Sequence, residues 1–450
     1  MIDAMCEGVA AAQPTDRDTT WPNADLVSRR PVGRMPAVCP EPEQAASRPL
    51  AEGVLDAVGQ TPTVRLSRLG DLVSPSGRVE LFAKCEFCNP AGSMKDRPSA
   101  AMLADALADG RLRPGMTVVE SSSGNMGIGL AQACAYHGLR FVCVVDPRTQ
   151  ATNISVMRAY GAEIDLVEQP DPATGDFLTA RLGRVRELVA TSDDAFWPNQ
   201  YANPTNPRAH EEGTARELHE AAGPLDLLLV ATSTTGTING CRDYFARVSP
   251  NTRVVAVDAA GSVLFGGTAG QRAISGLGAG LHPPLSRRVT PDDVLRVTDL
   301  DCVVGCRQLV RAEAILAGGS AGGLITAVQR MQLAAGTRVG MIFADHGGRY
   351  LQTVYDDAWV ERTTGCGPDE LRRRVDSFGS TDPATDRGWP NATADATADV
   401  TADDKRDAGR EQQTATERDA GSRLTDRNNR HGQVPACVVR TPRPVVGAHS

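Results

Sequence analysis

Lysine is scarce in this sequence, and its positions are therefore informative. The chain has three lysines, Lys84, Lys95 and Lys405, against forty-four arginines. A lysine amine can form a Schiff base with an aldehyde, whereas arginine cannot, because its guanidinium stays protonated. Lys405 lies in a polar tail. Lys95 lies in the run 89–97 (NPAGSMKDR), where a helix is expected to start near Ser93. The helix dipole there would lower the pKa of the amine, which favours Lys95 as a nucleophile.

A second run, 120–127 (ESSSGNMG), also lies between a predicted strand and a predicted helix. Three hydroxyls, a glycine and an amide precede exposed backbone N–H groups, which is typical of a nest for a carboxylate. A dinucleotide-binding loop would need G-x-G-x-x-G, whereas the glycines here are Gly124, Gly127 and Gly129. Their order disfavours a nicotinamide-dependent oxidoreductase.

Two further loops could hold parts of one ligand. The run 233–237 (STTGT) follows the most hydrophobic predicted strand and precedes a helix, which is typical of a phosphate cradle. It lacks the Walker lysine that a nucleoside triphosphate would need. In the run 318–323 (GGSAGG), Ser320 could offer one hydroxyl to a buried ring. An amine, a carboxylate nest, a phosphate cradle and a hydroxyl together match pyridoxal 5′-phosphate, with its aldehyde, phosphate and ring nitrogen.

Strands and helices must alternate to bring these loops together. The apolar patterns predict strands at 79–85, 116–119, 141–145, 164–167, 225–230, 254–257 and 339–343. They predict helices at 99–108, 127–137, 153–160, 180–190, 205–222, 238–248 and 324–333. This alternation indicates an α/β protein with mostly parallel sheets. Such sheets bind ligands at the carboxyl ends of their strands.

Composition limits the domain organisation. Residues 1–50 and 366–450 are rich in Asp, Thr, Ala, Pro and Arg, and we predict that both are disordered. The remaining unit, 51–365, is long enough for two lobes, of which about 91–200 would be the smaller and mobile one.

Charge and cysteine usage limit the partners and the cellular compartment. The net charge of −8 disfavours nucleic acid. The sequence shows neither a long apolar run nor a signal peptide, so we expect a cytoplasmic protein without membrane contact. Eleven cysteines are read as free thiols, and Cys85 and Cys88 lack the second pair that a zinc site needs, so no metal is expected.

The four motifs, in this order, resemble the fold-type-II pyridoxal-phosphate enzymes of the cysteine synthase and cystathionine β-synthase family. The resemblance covers about 54–360, and the run 59–66 (GQTPTVRL) also resembles the N-terminal signature of that family. It implies two lobes, each with a mostly parallel sheet flanked by helices, and a homodimer. It also implies an enzyme that catalyses β-replacement on amino-acid substrates.

The resemblance assigns roles to individual residues. Lys95 matches the Schiff-base lysine, Asn125 the partner of the ring hydroxyl of the cofactor, and Ser320 the partner of the pyridine nitrogen. The matched phosphate-loop residues are Ser233, Thr234, Thr235, Gly236 and Thr237, and the matched substrate-binding residues are Ser122, Ser123, Met126, Gln200 and Tyr201. Two positions depart from the family pattern, because Ser233 replaces a usual glycine and Met126 a usual threonine.

The phosphate loop and the run 344–350 (ADHGGRY) most resemble one branch, the N-(2-amino-2-carboxyethyl)-L-glutamate synthases. These begin 2,3-diaminopropionate biosynthesis for siderophores and peptide antibiotics. The implied reaction joins O-phospho-L-serine to L-glutamate. Glutamate would need cationic groups at the pocket mouth, and Arg181, Arg208 and Arg272 are candidates. The alternatives are cysteine synthesis from sulfide and a non-catalytic binding protein on the same fold.

Overall fold

The computed structural model describes residues 50–74 and 79–379. The chain divides into two compact units, Met1–Asp56 and Ala57–Ser450. In the first unit the description covers 50–56, where a 3-10 turn begins at Val54. Residues 1–49 of the segment 1–50, which was predicted to be disordered, and residues 380–450 of the predicted tail lie outside the described residues. In the part of the chain that is described, no helix is long and apolar enough to cross a membrane.

Ten strands form two sheets in the second unit. The larger sheet has the order β1-β2-β10-β7-β8-β9, and the smaller has the order β5-β4-β3-β6. The larger comprises β1 (Thr63–Arg65), β2 (Glu80–Cys85), β7 (Leu227–Ala231), β8 (Arg253–Ala259), β9 (Asp293–Val297) and β10 (Arg338–Phe343). The smaller comprises β3 (Thr117–Ser121), β4 (Arg140–Val145), β5 (Glu163–Leu166) and β6 (Ala195–Phe196). Every pairing is parallel except that of β1 with β2.

Twelve α-helices of the described residues connect or flank these strands. In chain order they are α1 (Ser67–Val73), α2 (Asp96–Ala108), α3 (Asn125–His137), α4 (Ala151–Ala159), α5 (Phe177–Ala190), α6 (Thr205–Ala209), α7 (Arg216–Ala222), α8 (Gly236–Val248), α9 (Asp299–Glu313), α10 (Gly319–Arg330), α11 (Asp357–Thr364) and α12 (Pro368–Asp376). A π-helical turn, His210–Ala215, lies between α6 and α7. The prediction of one continuous α-helix at 205–222 is therefore wrong for its central residues, which form the π-helical turn.

The larger sheet is covered on both faces, as a parallel sheet requires. Successive side chains of β7 point to opposite faces, so Leu227 and Leu229 lie in one apolar core, while Leu228 and Val230 lie in the other. This double burial explains why 225–230 is the most hydrophobic predicted strand. With both faces packed, the edge at the carboxyl ends of the strands remains for loops and ligands.

The predicted boundary of the folded unit at residue 365 is wrong, because 366–379 are structured. This segment contains α12, and its side chains Cys366, Leu371 and Phe378 are buried in the core on one face of the larger sheet. This helix was not predicted, because the segment is rich in charged residues and poor in apolar ones. Its few apolar residues all face one side, and the surrounding arginines and acids face solvent.

Candidate active site

A cavity of about 570 Å³ opens where the strands of both sheets end. The segments after β3, β7 and β10 all contribute to its wall, as expected for parallel sheets. Twelve of the thirteen residues to which the family resemblance assigned roles line it: Lys95, Ser122, Ser123, Asn125, Met126, Gln200, Tyr201, Ser233, Thr234, Thr235, Thr237 and Ser320. Gly236 is not on the wall and forms the first residue of α8. The four motifs therefore converge on one cavity.

The structure separates the two candidate lysines. Lys95 lies on the cavity wall at the N-cap of α2, one residue before the helix, which starts at Asp96 rather than near residue 93. Burial lowers the pKa of Lys95 to about 8, against the opposing charges of Asp345 and Glu86. The direction agrees with the prediction, but burial rather than the helix dipole is the main cause. Lys84 is buried elsewhere, and its Nζ forms an ion pair with Glu217 Oε2 at 2.7 Å.

The carboxylate nest is built around one serine hydroxyl. Ser122 Oγ accepts hydrogen bonds from the backbone N–H of Gly127 at 2.9 Å and of Gly124 at 3.3 Å. A Cβ at residue 127 would lie 2.6 Å from Met157 Sδ on α4 and 3.0 Å from Cys143 Sγ on β4, so a larger residue would force these buried side chains to move. Met126 is buried, and its sulfur accepts a hydrogen bond from Ser99 Oγ at 3.2 Å.

The phosphate cradle is a strained turn at the start of α8. Thr235, the N-cap, has a left-handed φ of 64°, which is uncommon for a β-branched residue. A Cβ at Gly236 would lie 2.2 Å from Asn206 Oδ1, so a side chain has no room there. The first N–H groups of a helix have no partner inside it, and Thr235 and Thr237 at this end of α8 line the cavity. Backbone donors and hydroxyls beside a helix N-terminus are what a phosphate binds.

A network around Asp345 forms the cavity wall near Asn125. Asp345 is buried, and its Oδ2 accepts hydrogen bonds from Asn125 Nδ2 at 2.8 Å and from Tyr350 Oη at 2.6 Å. Arg349 donates to Asn125 Oδ1, which fixes the orientation of the amide. The run 344–350 resembles one branch of the family, but no role was predicted for its individual residues. The polar side chains directly after β10 could have predicted that this segment contributes to the site.

The loop with Gln200 and Tyr201 is anchored by a buried acid that the sequence analysis missed. Glu120 accepts hydrogen bonds from Trp197 Nε1 and from the backbone N–H of Gln200, both at 3.0 Å. Burial raises the pKa of Glu120 to about 7 despite these donors. Gln200 Nε2 also donates to Ser121 O at 3.0 Å. The acid at the end of β3 thus joins β3 to the substrate-lining segment.

Of the three candidate arginines, two line the cavity and one does not. Arg208 lies elsewhere and pairs with Asp105 Oδ2 at 2.5 Å. Arg181 is buried on the wall with Nε 3.1 Å from Asp146 Oδ2. Arg272 is on the wall with one long hydrogen bond, from Nη1 to Leu277 O at 3.4 Å. Arg148 and Arg186, which the sequence analysis did not name, also line the cavity.

The residues on the wall fit pyridoxal phosphate by their chemistry. Lys95 supplies an amine whose lowered pKa leaves more of it neutral. The glycine-dependent turn at Gly236 supplies donors for a phosphate. Ser320 is buried at the second position of α10 and supplies a hydroxyl to the same cavity. Asn125 supplies an amide that can meet a ring hydroxyl.

Comparison with known proteins agrees with this assignment. The family model described as pyridoxal-phosphate dependent enzyme matches residues 54–345. The chain is 44% identical over 317 residues to N-(2-amino-2-carboxyethyl)-L-glutamate synthase of Ralstonia nicotianae, which covers 70% of this chain and 92% of that protein.

Solved structures give the same fold. O-ureido-L-serine synthase is 33% identical, with a TM-score of 0.63 over 69% of this chain and 99% of that one. An O-acetylserine dependent cystathionine β-synthase from Helicobacter pylori is 28% identical, with a TM-score of 0.62 over 68% and 98% of the two chains. The predicted α/β fold, the family resemblance and the cofactor are confirmed. The chain belongs to the pyridoxal-phosphate dependent enzymes.

Proposed function

We propose that the enzyme joins the three-carbon unit of O-phospho-L-serine to the α-amine of L-glutamate. The products would be N-(2-amino-2-carboxyethyl)-L-glutamate and inorganic phosphate. A relative with 44% identity carries the name of this synthase, and O-ureido-L-serine synthase, with 33% identity, is named for another O-substituted serine. The proposal makes a specific demand on the cavity, which must accept two anionic amino acids.

Each of these residues on the cavity wall has a separate role in the proposed reaction. When bound, pyridoxal phosphate withdraws electrons from the substrate Cα and so weakens its C–H bond. The Lys95 amine accepts the Cα proton, and its pKa of about 8 suits a base at neutral pH. The nest at Ser122 and Ser123 holds the α-carboxylate of the serine substrate. The neutral Ser320 hydroxyl would hold the ring nitrogen of the bound cofactor, which would favour early loss of the phosphate leaving group.

The observation that carries the proposal is the presence of several arginines on the cavity wall. Arg148, Arg181, Arg186 and Arg272 all line the cavity. Guanidinium groups form strong, charge-assisted hydrogen bonds with anions, so these arginines would favour anionic ligands. Phosphate and carboxylate groups are such ligands. Sulfide is small and would not need a carboxylate site.

Substitution of Arg272 tests the acceptor. With O-phosphoserine fixed, Arg272→Gln should raise the KM for glutamate about tenfold or more, because a hydrogen bond to a charged group is lost. Arg208→Gln is the matched control, since this exposed arginine lies outside the cavity and should leave the KM unchanged. If both variants keep the wild-type KM for glutamate, Arg272 does not bind the acceptor.

Cysteine synthesis from sulfide is the second candidate, and one structural neighbour is named for chemistry that involves sulfide. A hydrogen sulfide-producing enzyme from Fusobacterium nucleatum is 31% identical, with a TM-score of 0.62 over 67% of this chain and 100% of that one. Sulfide supplied in place of glutamate distinguishes the two activities. Faster turnover with sulfide would favour the second candidate.

The wider setting follows from the proposed product. We place the enzyme at the start of 2,3-diaminopropionate formation for siderophores or peptide antibiotics, in the cytoplasm, and as a homodimer. The relative from Ralstonia nicotianae is named for the proposed product, which supports the place of the enzyme in this setting. Sedimentation of the purified enzyme tests the dimer.

A further inference from the structure

A buried histidine connects the π-helical turn to the phosphate cradle. His210 Nδ1 lies 3.0 Å from Thr214 Oγ1, and His210 Nε2 lies 3.3 Å from Thr237 Oγ1. All three side chains are buried, with exposed fractions of 0% for His210 and Thr214 and 4% for Thr237. Thr237 lines the cavity, whereas His210 lies behind it. The imidazole therefore contacts a phosphate-loop hydroxyl without facing the ligand itself.

The local backbone holds this ring in place. His210 begins the π-helical turn, and such turns are rare and frequent at functional sites. Helix α8 packs directly against it, because a Cβ at Gly240 would lie 2.2 Å from Pro207 O and 2.9 Å from His210 Cβ. Glycine at residue 240 thus permits the close approach that brings the imidazole within reach of Thr237.

The imidazole is neutral. Burial lowers the pKa of His210 well below its ordinary 6.5, and the positive charges of Lys95 and Arg97 lower it further. A neutral imidazole has one N–H donor and one acceptor nitrogen. The ring can therefore donate to Thr237 and accept from Thr214, or the reverse.

Two observations select between these arrangements. The Thr214 hydroxyl is buried, and in the described part of the chain His210 Nδ1 is its only hydrogen-bond partner, so its proton has an acceptor only if Nδ1 is unprotonated. On the other side, Thr237 Oγ1 has one further neighbour, Met94 Sδ at 3.9 Å, which is a weak acceptor. If Nε2 donates to Thr237, the hydroxyl proton of Thr237 is free to point into the cavity.

We propose that His210 is held as the Nε2–H tautomer and is a positioning residue for the cofactor phosphate. Its Nε2–H donates a hydrogen bond to Thr237 Oγ1, and the Thr237 hydroxyl then donates to a phosphate oxygen. In the reverse tautomer, the Thr237 hydroxyl would donate its proton to His210 Nε2. The Thr237 oxygen would then face a phosphate oxygen with no proton between them. The inference rests on the family cofactor and is independent of which acceptor the enzyme uses.

Nuclear magnetic resonance of the holoenzyme tests the tautomer directly. With ¹⁵N-labelled histidine, and with His210→Gln used to assign the signal, His210 should carry its single proton on Nε2. A proton on Nδ1, or on both nitrogens, would overturn the proposal.

Binding of two cofactor forms tests the consequence. His210→Leu should weaken pyridoxal phosphate about tenfold or more, since a hydrogen bond to a charged group is lost, and should leave binding of pyridoxal, which has no phosphate, within about twofold. His210→Gln places an N–H near the position of Nε2 and should restore most of the affinity. Equal weakening of both forms by His210→Leu, or no weakening, would show that the ring has only a structural role.

Discussion

Asn125 Nδ2 donates a hydrogen bond to Asp345 Oδ2 across 2.8 Å and so links the start of α3, beside the smaller sheet, to the segment after β10 of the larger sheet. The same carboxylate raises the pKa of Lys95, while burial lowers it. Asp345 therefore contacts the residue proposed to bind the ring hydroxyl and also opposes the lowering of the amine pKa by burial. Its loss should be visible in the pH dependence of the free lysine.

Capture of pyridoxal phosphate by the apoenzyme should accelerate as the pH rises. The reactive form is the neutral amine, and a folded pKa of about 8 means that its fraction grows until the pH passes about 8 and then levels off. Asp345→Asn removes an opposing negative charge, so the pKa of Lys95 should fall further and the midpoint should move to lower pH. Stopped-flow absorbance of cofactor capture between pH 6 and 9 measures both midpoints, and an unchanged midpoint in the variant would show that Asp345 does not act on Lys95.

Covalent cofactor should be found on Lys95 alone. Lys95 is on the cavity wall, whereas Lys84 is committed to Glu217. After borohydride reduction, peptide mapping should place the label in the peptide with Lys95, and Lys95→Ala should lose both the label and turnover. A label on Lys84 would contradict the assigned site.

Ser233→Gly should lower kcat/KM with O-phosphoserine and glutamate about tenfold to hundredfold, because a hydrogen bond from Ser233 to a charged substrate would be lost. Affinity for the cofactor should change little, since Thr235, Gly236 and Thr237 remain. Thr237→Val is the contrasting variant and should weaken cofactor binding. If Ser233→Gly instead loses cofactor and keeps kcat/KM at saturating pyridoxal phosphate, Ser233 is an ordinary phosphate ligand.

Leu371→Ala should lower the free energy of unfolding by about 2–5 kcal/mol, the usual cost of removing a buried leucine side chain. Leu371 is 4% exposed and packs α12 into the core on the larger sheet. Arg372→Ala, on the exposed face of the same helix, should change stability by about 0.5 kcal/mol or less. Urea denaturation measures both, and equal stability of the two variants would mean that α12 contributes nothing to the fold.

Local patterns predicted the parts of the structure that depend on short segments. The strand–loop–helix junctions at 89–97, 120–127 and 233–237 placed the lysine and both anion loops on one cavity, because parallel strands present their carboxyl ends at one edge. The two-residue strand β6 is too short to show a period, so it was missed. Helix α9 was also missed, although Thr298 and Asp301 form a capping box that was visible in the sequence.

Contacts between distant segments could not be predicted in this way. The sequence does not distinguish Arg208 from Arg272. Only the fold shows that Arg208 pairs with Asp105 and that Arg272 lines the cavity. The role of His210 likewise depends on Thr237, which is distant in sequence and is brought close by the packing of α8.

The identity of the product tests the central claim most directly. Purified holoenzyme should be incubated with O-phospho-L-serine, L-glutamate and sulfide together, and the products identified by mass spectrometry. We expect N-(2-amino-2-carboxyethyl)-L-glutamate as the product, with one inorganic phosphate released for each molecule formed. Cysteine as the main product, with no adduct of glutamate, would contradict it.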